Sequence, residues 1–381
     1  MALLATGALE VGGPGMDEAI LTIVMPCFNE RENIASVVSE ISRLTNRRLI
    51  RRIIFVDDNS PDGTAEYIKS IANTSPVELL CIHRIGRHGL SSAVAEGVML
   101  ADTHYVAVMD SDGQHDPADL KAMLHAALEE QAELVIGSRF KNQRTLASHR
   151  GIRGWFSRIG NRLARMVTGR DLTDPLTGYF LFERGLFNQT IAEARPGGFK
   201  ILLDILQASR GLDIAVREVQ INFRARGAGE SKLDASVLLE FADQIVASLT
   251  GGLLPSKFTS FALIGLSGIV VHFAALHTFL FSAGLPFNAA QAGATLTAMV
   301  SNFALNNALT FRRSRYRGIT WFSGLFYFIV VCGFGAIANV GVAGYLNTQH
   351  EAWWLSALAG VLVGTIFNFA ISKNYIWKPA A

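Results

Sequence analysis

The sequence is poor in cysteine and, over its last third, in negative charge. Three cysteines, Cys27, Cys81 and Cys332, stand far apart with neither disulfide nor metal-ligand spacing, which leaves them as packing residues in a reducing compartment. After Asp243 one carboxylate remains, Glu351. A Walker A loop, a GxGxxG dinucleotide fingerprint and a QxxRW stretch are all missing, which argues against a P-loop nucleotidase, a dinucleotide enzyme and a processive polysaccharide synthase. A formal net charge of +2 with no RNA- or DNA-binding motif gives no case for nucleic acid. The opening residues lack a basic n-region and a long apolar core, so they make a poor signal peptide, and residues 1–18 read as a mobile tail.

What is present falls into two parts. The length of 381 residues suits two domains, and the uneven charge places a soluble part first and a membrane part second. From residue 19 apolar runs alternate with helical spacing: ILTIVM, RRIIFVDD, VELLCIHR, HYVAVMD and ELVIGSRF read as strands separated by helices. Such alternation predicts an α/β fold with a mostly parallel sheet covered on both faces. Ligands of such sheets bind beyond the carboxyl ends of the strands. Four polar clusters lie there: PCFNE (26–30), VDDNSPDGT (56–64), MDSDGQHDP (109–117) and GSRF (137–140).

The third cluster crowds Asp110, Asp112 and Asp116 into seven residues. Asp110 and Asp112, with Gln114, offer hard oxygen ligands of the kind that suit Mg²⁺ or Mn²⁺ shared with substrate phosphates. An EF-hand is the rival reading, but its glycine and distal glutamate positions do not fit. His115 reads as a packing or supporting residue rather than a general base.

Together with RIGRHGLSSAVAEG (84–97) and GAGESKL (227–233), these motifs over roughly residues 20–235 resemble family-2 glycosyltransferases of the GT-A fold. More narrowly, they resemble dolichyl- or polyprenyl-phosphate mannose synthases. The resemblance implies inverting sugar transfer from a nucleotide diphosphate to a lipid phosphate. It assigns Pro26, Phe28, Glu30, Val56 and Asp58 to the nucleotide's base and ribose, and Asp110, Asp112 and Gln114 to metal and diphosphate. Arg139 and Arg153 match arginines that grip the lipid phosphate, and Arg226, Ser231 and Lys232 match a further phosphate loop. Asp110, Asp112 and Arg139 form the expected catalytic group. Two departures, Gln220 for a usual proline and Asp204 for a commoner glutamate, blur the sugar assignment. GDP-mannose is the favoured donor, because RIGRHGLSSA and DPLTGY (174–179) are closer to mannose synthases. UDP-glucose is the alternative, and a lipid-linked sugar transporter with a regulatory soluble domain is the reading from another class.

Residues 19–232 are thus expected to form the catalytic domain, 233–257 a juxtamembrane helical linker and 258–381 a four-span membrane domain. Within the first, RGIRGWFSRIGNRLARMVTGR (150–170) has the basic amphipathic pattern of a helix lying on a membrane surface. The apolar segments, about 259–281, 289–311, 320–346 and 353–377, each exceed the roughly 20 residues that span a bilayer. RRSRYR (312–317) joins the middle two, while the outer connections carry no Lys or Arg, so the catalytic domain and the C-terminus are expected on the cytoplasmic side. The arrangement is similar to the four-helix domains that accompany some polyprenyl-phosphate glycosyltransferases. NFALNNALTF (302–311) and NFAISKNYIW (368–377) echo one another, which suggests two related hairpins. Asn302, Asn306 and Asn368 then bond between helices, Gly265 and Gly268 allow close packing, and His272 and His277 are structural.

Overall fold

Leu21, Ile23 and Met25 point to one face of the first strand and Val24 to the other, and all four are fully buried. A strand apolar on both faces must lie inside a covered sheet. The computed structural model describes residues 19–44, 47–87, 89–141, 152–190, 201–224, 235–250, 253–255, 257–348 and 353–377. The chain divides into two units, Met1–Ser231 and Lys232–Ala381.

The first unit runs β1 (Leu21–Cys27), α1 (Arg31–Ser42), β2 (Ile50–Asp57), α2 (Thr64–Ala72), β3 (Glu78–His83), α3 (Leu90–Met99), β4 (Tyr105–Val108), α4 (Leu120–Glu129), β5 (Leu134–Ser138), α5 (Ile152–Thr168), β6 (Phe180–Glu183), α6 (Arg184–Thr190), α7 (Ile201–Ala208) and β7 (Val216–Gln220). The seven-stranded sheet has the order β3-β2-β1-β4-β6-β5-β7. Every pairing is parallel except those of β6, which lies antiparallel between β4 and β5. One apolar layer joins Ile23, Met25 and Phe55 to Ile34, Ile41 and Met123. The other joins Val24, Ile54 and Val108 to Val94, Leu202 and Ile205. The mostly parallel α/β sheet is therefore as expected, with β6 and β7 as additions that the apolar runs did not reveal.

Helix α5 buries Asn161, Ala164, Val167 and Thr168, while Arg162, Arg165 and Met166 are exposed. Met166 is therefore not on the buried face of this helix, which packs near α7; it stands exposed beside the arginines.

The second unit contains α8 (Ala235–Leu249), α9 (Phe258–His277), α10 (Phe287–Leu305), α11 (Thr320–Thr348) and α12 (Trp353–Ile371). Asp243 on α8 accepts hydrogen bonds from the amide (3.0 Å) and the hydroxyl of Ser260, fastening α8 to the first turn of α9. With its terminal π turn, α9 covers Phe258–Ser282, 25 residues that include an 18-residue stretch of mean hydropathy 1.9, long and apolar enough to cross a bilayer.

The echo seen in the sequence is a structural repeat. Helices α10 and α12 both end in π turns, at Asn306–Thr310 and Ser372–Ile376, closed by Phe311 N–H to Asn306 O and Trp377 N–H to Ser372 O, each 2.8 Å. Phe311 and Trp377, the residues after those turns, stack on each other at 4.4 Å and 5°. Phe303 on α10 reaches Phe328 on α11 (5.7 Å), and its counterpart Phe369 on α12 reaches Phe261 on α9 (5.6 Å). The two hairpins thus exchange equivalent aromatic contacts about the Phe311–Trp377 stack.

Each hairpin is closed by an asparagine seated on a glycine. A Cβ on Gly268 would collide with the amide of Asn302, and one on Gly335 with that of Asn368. Gly265 and Gly333 face nothing within 4 Å, so of the two glycines expected to permit packing only Gly268 does so. Gly335→Ala should lower the thermal midpoint of detergent-purified protein, by the about 1–3 kcal/mol typical of overpacking. Gly333→Ala should leave it unchanged; equal midpoints for the two variants would refute the asparagine-on-glycine packing.

Candidate active site

The rim is built from strand ends. Beyond β1, Asn29 takes a left-handed φ of 56°, and Asn59 beyond β2 a φ of 57°, a conformation that asparagine tolerates better than most residues. These bends tie the two loops together: Asn29 N–H donates to Ser60 Oγ (2.9 Å) and Glu30 N–H to Thr64 Oγ1 (3.1 Å). Buried Asp57 accepts from the amide (2.9 Å) and hydroxyl of Ser60, so it organises the turn. Phe28 is 43% exposed, presenting an aromatic face at the rim. Val56 has a fully buried side chain in the sheet core, so only its main chain can serve a ligand. Asp58 is held by Arg84 Nη1 (2.9 Å) and by Gly89 N–H (2.7 Å). Arg84, 1% exposed, also reaches Ser92 Oγ (2.6 Å) and Glu96 (3.3 Å), anchoring the start of the RIGRHG stretch beneath the expected nucleotide site.

The acidic motif is a tight turn. Gly113 has φ +75°, and Asp112 Oδ1 accepts from Gln114 N–H (3.0 Å), an Asx turn that fixes the carboxylate. Asp112 is largely buried, whereas the Asp110 side chain is 40% exposed at the rim. Asp110 N–H donates to His115 Nδ1 (3.1 Å), and the imidazole lies between Tyr179 (4.9 Å, stacked) and Phe223 (5.6 Å). His115 is therefore buried and supports the turn, as expected. Asp116 caps the next turn through Ala118 N–H (3.0 Å) and pairs with Arg224 (2.7 Å), which also grips Glu40 (2.6 Å). The main chain of Arg224 exchanges bonds with Gln114, amide to carbonyl at 2.8 Å and Gln114 Nε2 to Arg224 O at 3.3 Å.

Nearby, Asp119 accepts from Asn222 N–H (2.7 Å), and burial pushes its carboxyl up to about 6. The folded protein then holds this proton at pH values where the unfolded chain, with an ordinary carboxyl near 3.8, has lost it. Its contribution to stability is full below about pH 4 and is lost as pH rises through about 6. Asp119→Asn should remove that dependence. The difference in thermal midpoint, wild type minus variant, should fall between pH 4 and 6 and level off above; a constant difference would contradict it.

Arg139, at the end of β5, meets Asp174 fork to fork: Nε to Oδ2 at 2.7 Å and Nη2 to Oδ1 at 2.9 Å, with Arg139 N–H adding a third bond at 3.2 Å. Its guanidinium lies over Phe140 (5.2 Å) and Phe223 (5.3 Å). Burial works against its positive charge, but Asp174 outweighs burial and, with a smaller contribution from Asp110, raises the Arg139 pKa. Asp174 is fully buried, and its own amide and that of Thr173 donate to Glu218 on β7. Asp174 is not among the site residues the sequence predicts, although it opens the DPLTGY stretch.

The rim thus brings Pro26, Phe28, Glu30, Asp58, Asp110, Asp112, Gln114 and Arg139 to one sheet edge. Arg153 lies in the first turns of α5, its side chain outside the description, and Arg226, Ser231 and Lys232 fall outside the described residues. Among the described residues no three His, Cys, Asp or Glu side chains converge as a closed metal cage. Asp110 and Asp112 instead make a partial set of hard oxygens, which fits a divalent cation completed by substrate phosphates and water.

A doubly covered sheet with one antiparallel insertion and an acidic turn beyond β4 defines a GT-A glycosyltransferase. The chain belongs to glycosyltransferase family 2, whose model, glycosyl transferase family 2, matches residues 22–191, while the GtrA/DPMS transmembrane domain matches residues 260–377. It is 30% identical over 359 residues to the dolichol-phosphate mannosyltransferase of Pyrococcus furiosus, covering 94% of this chain and 99% of that one. The dolichol-phosphate mannosyltransferase of Mycosarcoma maydis is 31% identical, over 59% of this chain and 77% of its own. The polyprenol monophosphomannose synthase of Mycolicibacterium smegmatis is 28% identical, over 57% and 82%. The protein is therefore a glycosyltransferase with a membrane domain.

Proposed function

We propose that the protein transfers mannose from GDP-mannose to a polyprenyl or dolichyl phosphate, with inversion, at the cytoplasmic face of a membrane. The observation that carries this is a carboxylate-lined turn and a partly exposed guanidinium, doubly anchored to buried Asp174, on one rim. Support for the sugar and acceptor comes from the similarity to the Pyrococcus furiosus enzyme along both units.

The chemistry needs little beyond positioning and charge. A phosphate monoester has a second pKa near 6, so an acceptor phosphate at neutral pH attacks as an oxyanion without a protein base. Its oxygen forms the new bond to the anomeric carbon as the bond to the departing diphosphate breaks. Asp110 and Asp112, with Gln114, would hold Mg²⁺ or Mn²⁺, which when bound neutralises the leaving diphosphate. Phe28, Glu30 and Asp58, with the main chain at Pro26 and Val56, would receive the nucleotide. Arg139 would orient the acceptor phosphate: Asp174 takes Nε and one Nη2 hydrogen, and the far edge of the guanidinium points a second fork at an anion. Arg153 and the 226–232 loop are assigned to the same phosphate. Holding two anions in line and shielding their charge supplies most of the rate.

The four helices α9–α12 are read as spans. The basic α10–α11 connection and the Lys373 end of α12 support a cytoplasmic catalytic unit and C-terminus by the positive-inside rule. The deciding experiment offers detergent-purified protein a polyprenyl phosphate with radiolabelled GDP-mannose or UDP-glucose, each with Mn²⁺ or EDTA. Metal-dependent labelling from GDP-mannose is expected; labelling from UDP-glucose alone would replace the donor, and absence of transfer from both in folded protein would overturn the reading.

A further inference from the structure

The segment Thr173–Tyr179 touches both charged halves of the rim. Its first residues hold Arg139 through Asp174. Its glycine meets the other half: a Cβ built on Gly178 would stand 2.7 Å from Asp110 Oδ2, 3.0 Å from Oδ1 and 3.1 Å from Cγ. The Asp110 carboxylate therefore lies directly over the Gly178 backbone, nearer than any side chain there would allow. The same segment is anchored from outside the rim by Glu218 on Thr173 and Asp174 and by Asn161 Nδ2 on Thr173 O (3.2 Å), and within it by Tyr179 Oη on Asp116 O (3.2 Å). Tyr179 is buried and also stacks on His115, which receives the Asp110 amide.

We infer that Thr173–Tyr179 is a positioning element that sets the spacing between the donor-side carboxylate and the acceptor-side guanidinium, with Gly178 as the positioning residue for Asp110. The inference rests on the metal and phosphate roles proposed above for those two groups. Its physical content is that Gly178 is required for reach rather than for backbone freedom, since no positive φ is recorded there while the carboxylate occupies the space of a side chain. The obstructed group is the half-exposed end of one side chain, so a methyl at position 178 leaves the fold intact and moves the Asp110 carboxylate.

The test is Gly178→Ala in the full chain, alone and combined with Asp110→Asn. Mn²⁺ binding is read by electron paramagnetic resonance in the presence of GDP, and farnesyl phosphate binding by calorimetry. Supports of metal ligands typically contribute 10–100-fold in affinity, so Gly178→Ala should weaken Mn²⁺ binding about tenfold or more. Its thermal midpoint and farnesyl phosphate affinity should stay at wild-type values. In the Asp110→Asn background the same glycine change should add nothing. Wild-type Mn²⁺ affinity in Gly178→Ala, or an undiminished further loss beside Asp110→Asn, would overturn the inference. If Asp110→Asn itself leaves Mn²⁺ binding unchanged, the metal role of Asp110 fails, and this inference falls with it.

Discussion

Asp112→Asn abolishes sugar transfer, by about 10³-fold or more, while the protein stays folded and in the membrane. The size follows from the several kcal/mol of transition-state charge that a bound cation stabilises and the tenfold loss per 1.4 kcal/mol. Asparagine is the informative replacement because its side-chain oxygen can still accept the Gln114 amide, so the Asx turn survives and only the charge is lost. Asp112→Ala removes both and should be equally inactive, with a further small loss of stability from the unsatisfied amide. Activity in the asparagine variant together with inactivity in the alanine variant would make Asp112 a turn residue. Full activity in both would remove the metal mechanism. Initial rates against Mn²⁺ concentration, with membrane insertion checked by extraction, decide among these.

Arg139→Ala has the second large effect, and it is twofold. Deleting the partly exposed arginine leaves the fully buried Asp174 uncompensated, a cost of up to about 3–5 kcal/mol, so the thermal midpoint should drop. The acceptor should also bind weakly, since the guanidinium edge beyond Asp174 is gone. These consequences separate in Arg139→Ala/Asp174→Ala, where no buried charge is stranded. Stability should recover in large part while acceptor KM stays high and donor KM stays near wild type. If donor KM alone rises in both variants, Arg139 belongs to the nucleotide side of the rim.

The five strands read from apolar runs, β1 to β5, all form, because each is a mainly apolar run bounded by turn residues, even β3, which lies at the sheet edge and is only partly buried. Two strands were not legible for different reasons. Phe180–Glu183 runs straight into α6 with no turn residues to mark its end, and its direction is fixed only by insertion between β4 and β5. Val216–Gln220 mixes charged with apolar residues, and its place is set by pairing with β5. The acidic turn was legible as a local cluster, since Asp110, Asp112, Gln114 and His115 are sequence neighbours. The partners of these groups were not. Asp174 and Gly178 reach Arg139 and Asp110 only through the fold, and a lone glycine in DPLTGY gives no sign that a carboxylate will lie on it. For Val56 the sequence marked a position and not a side chain: its side chain lies in the sheet core, so only its main chain can meet a ligand.

The repeat in the second unit has a practical consequence. Because the hairpins make equivalent contacts, a residue in one has a twin in the other with matching surroundings, as Gly268 with Asn302 is matched by Gly335 with Asn368. A substitution made at each twin in turn is the same experiment performed twice within one molecule. Where the two results agree, they measure the helix contact itself. Where they part, the difference measures what is peculiar to one half, such as the Asp243 tether from α8 to Ser260 in the first. The membrane unit therefore contains its own internal control.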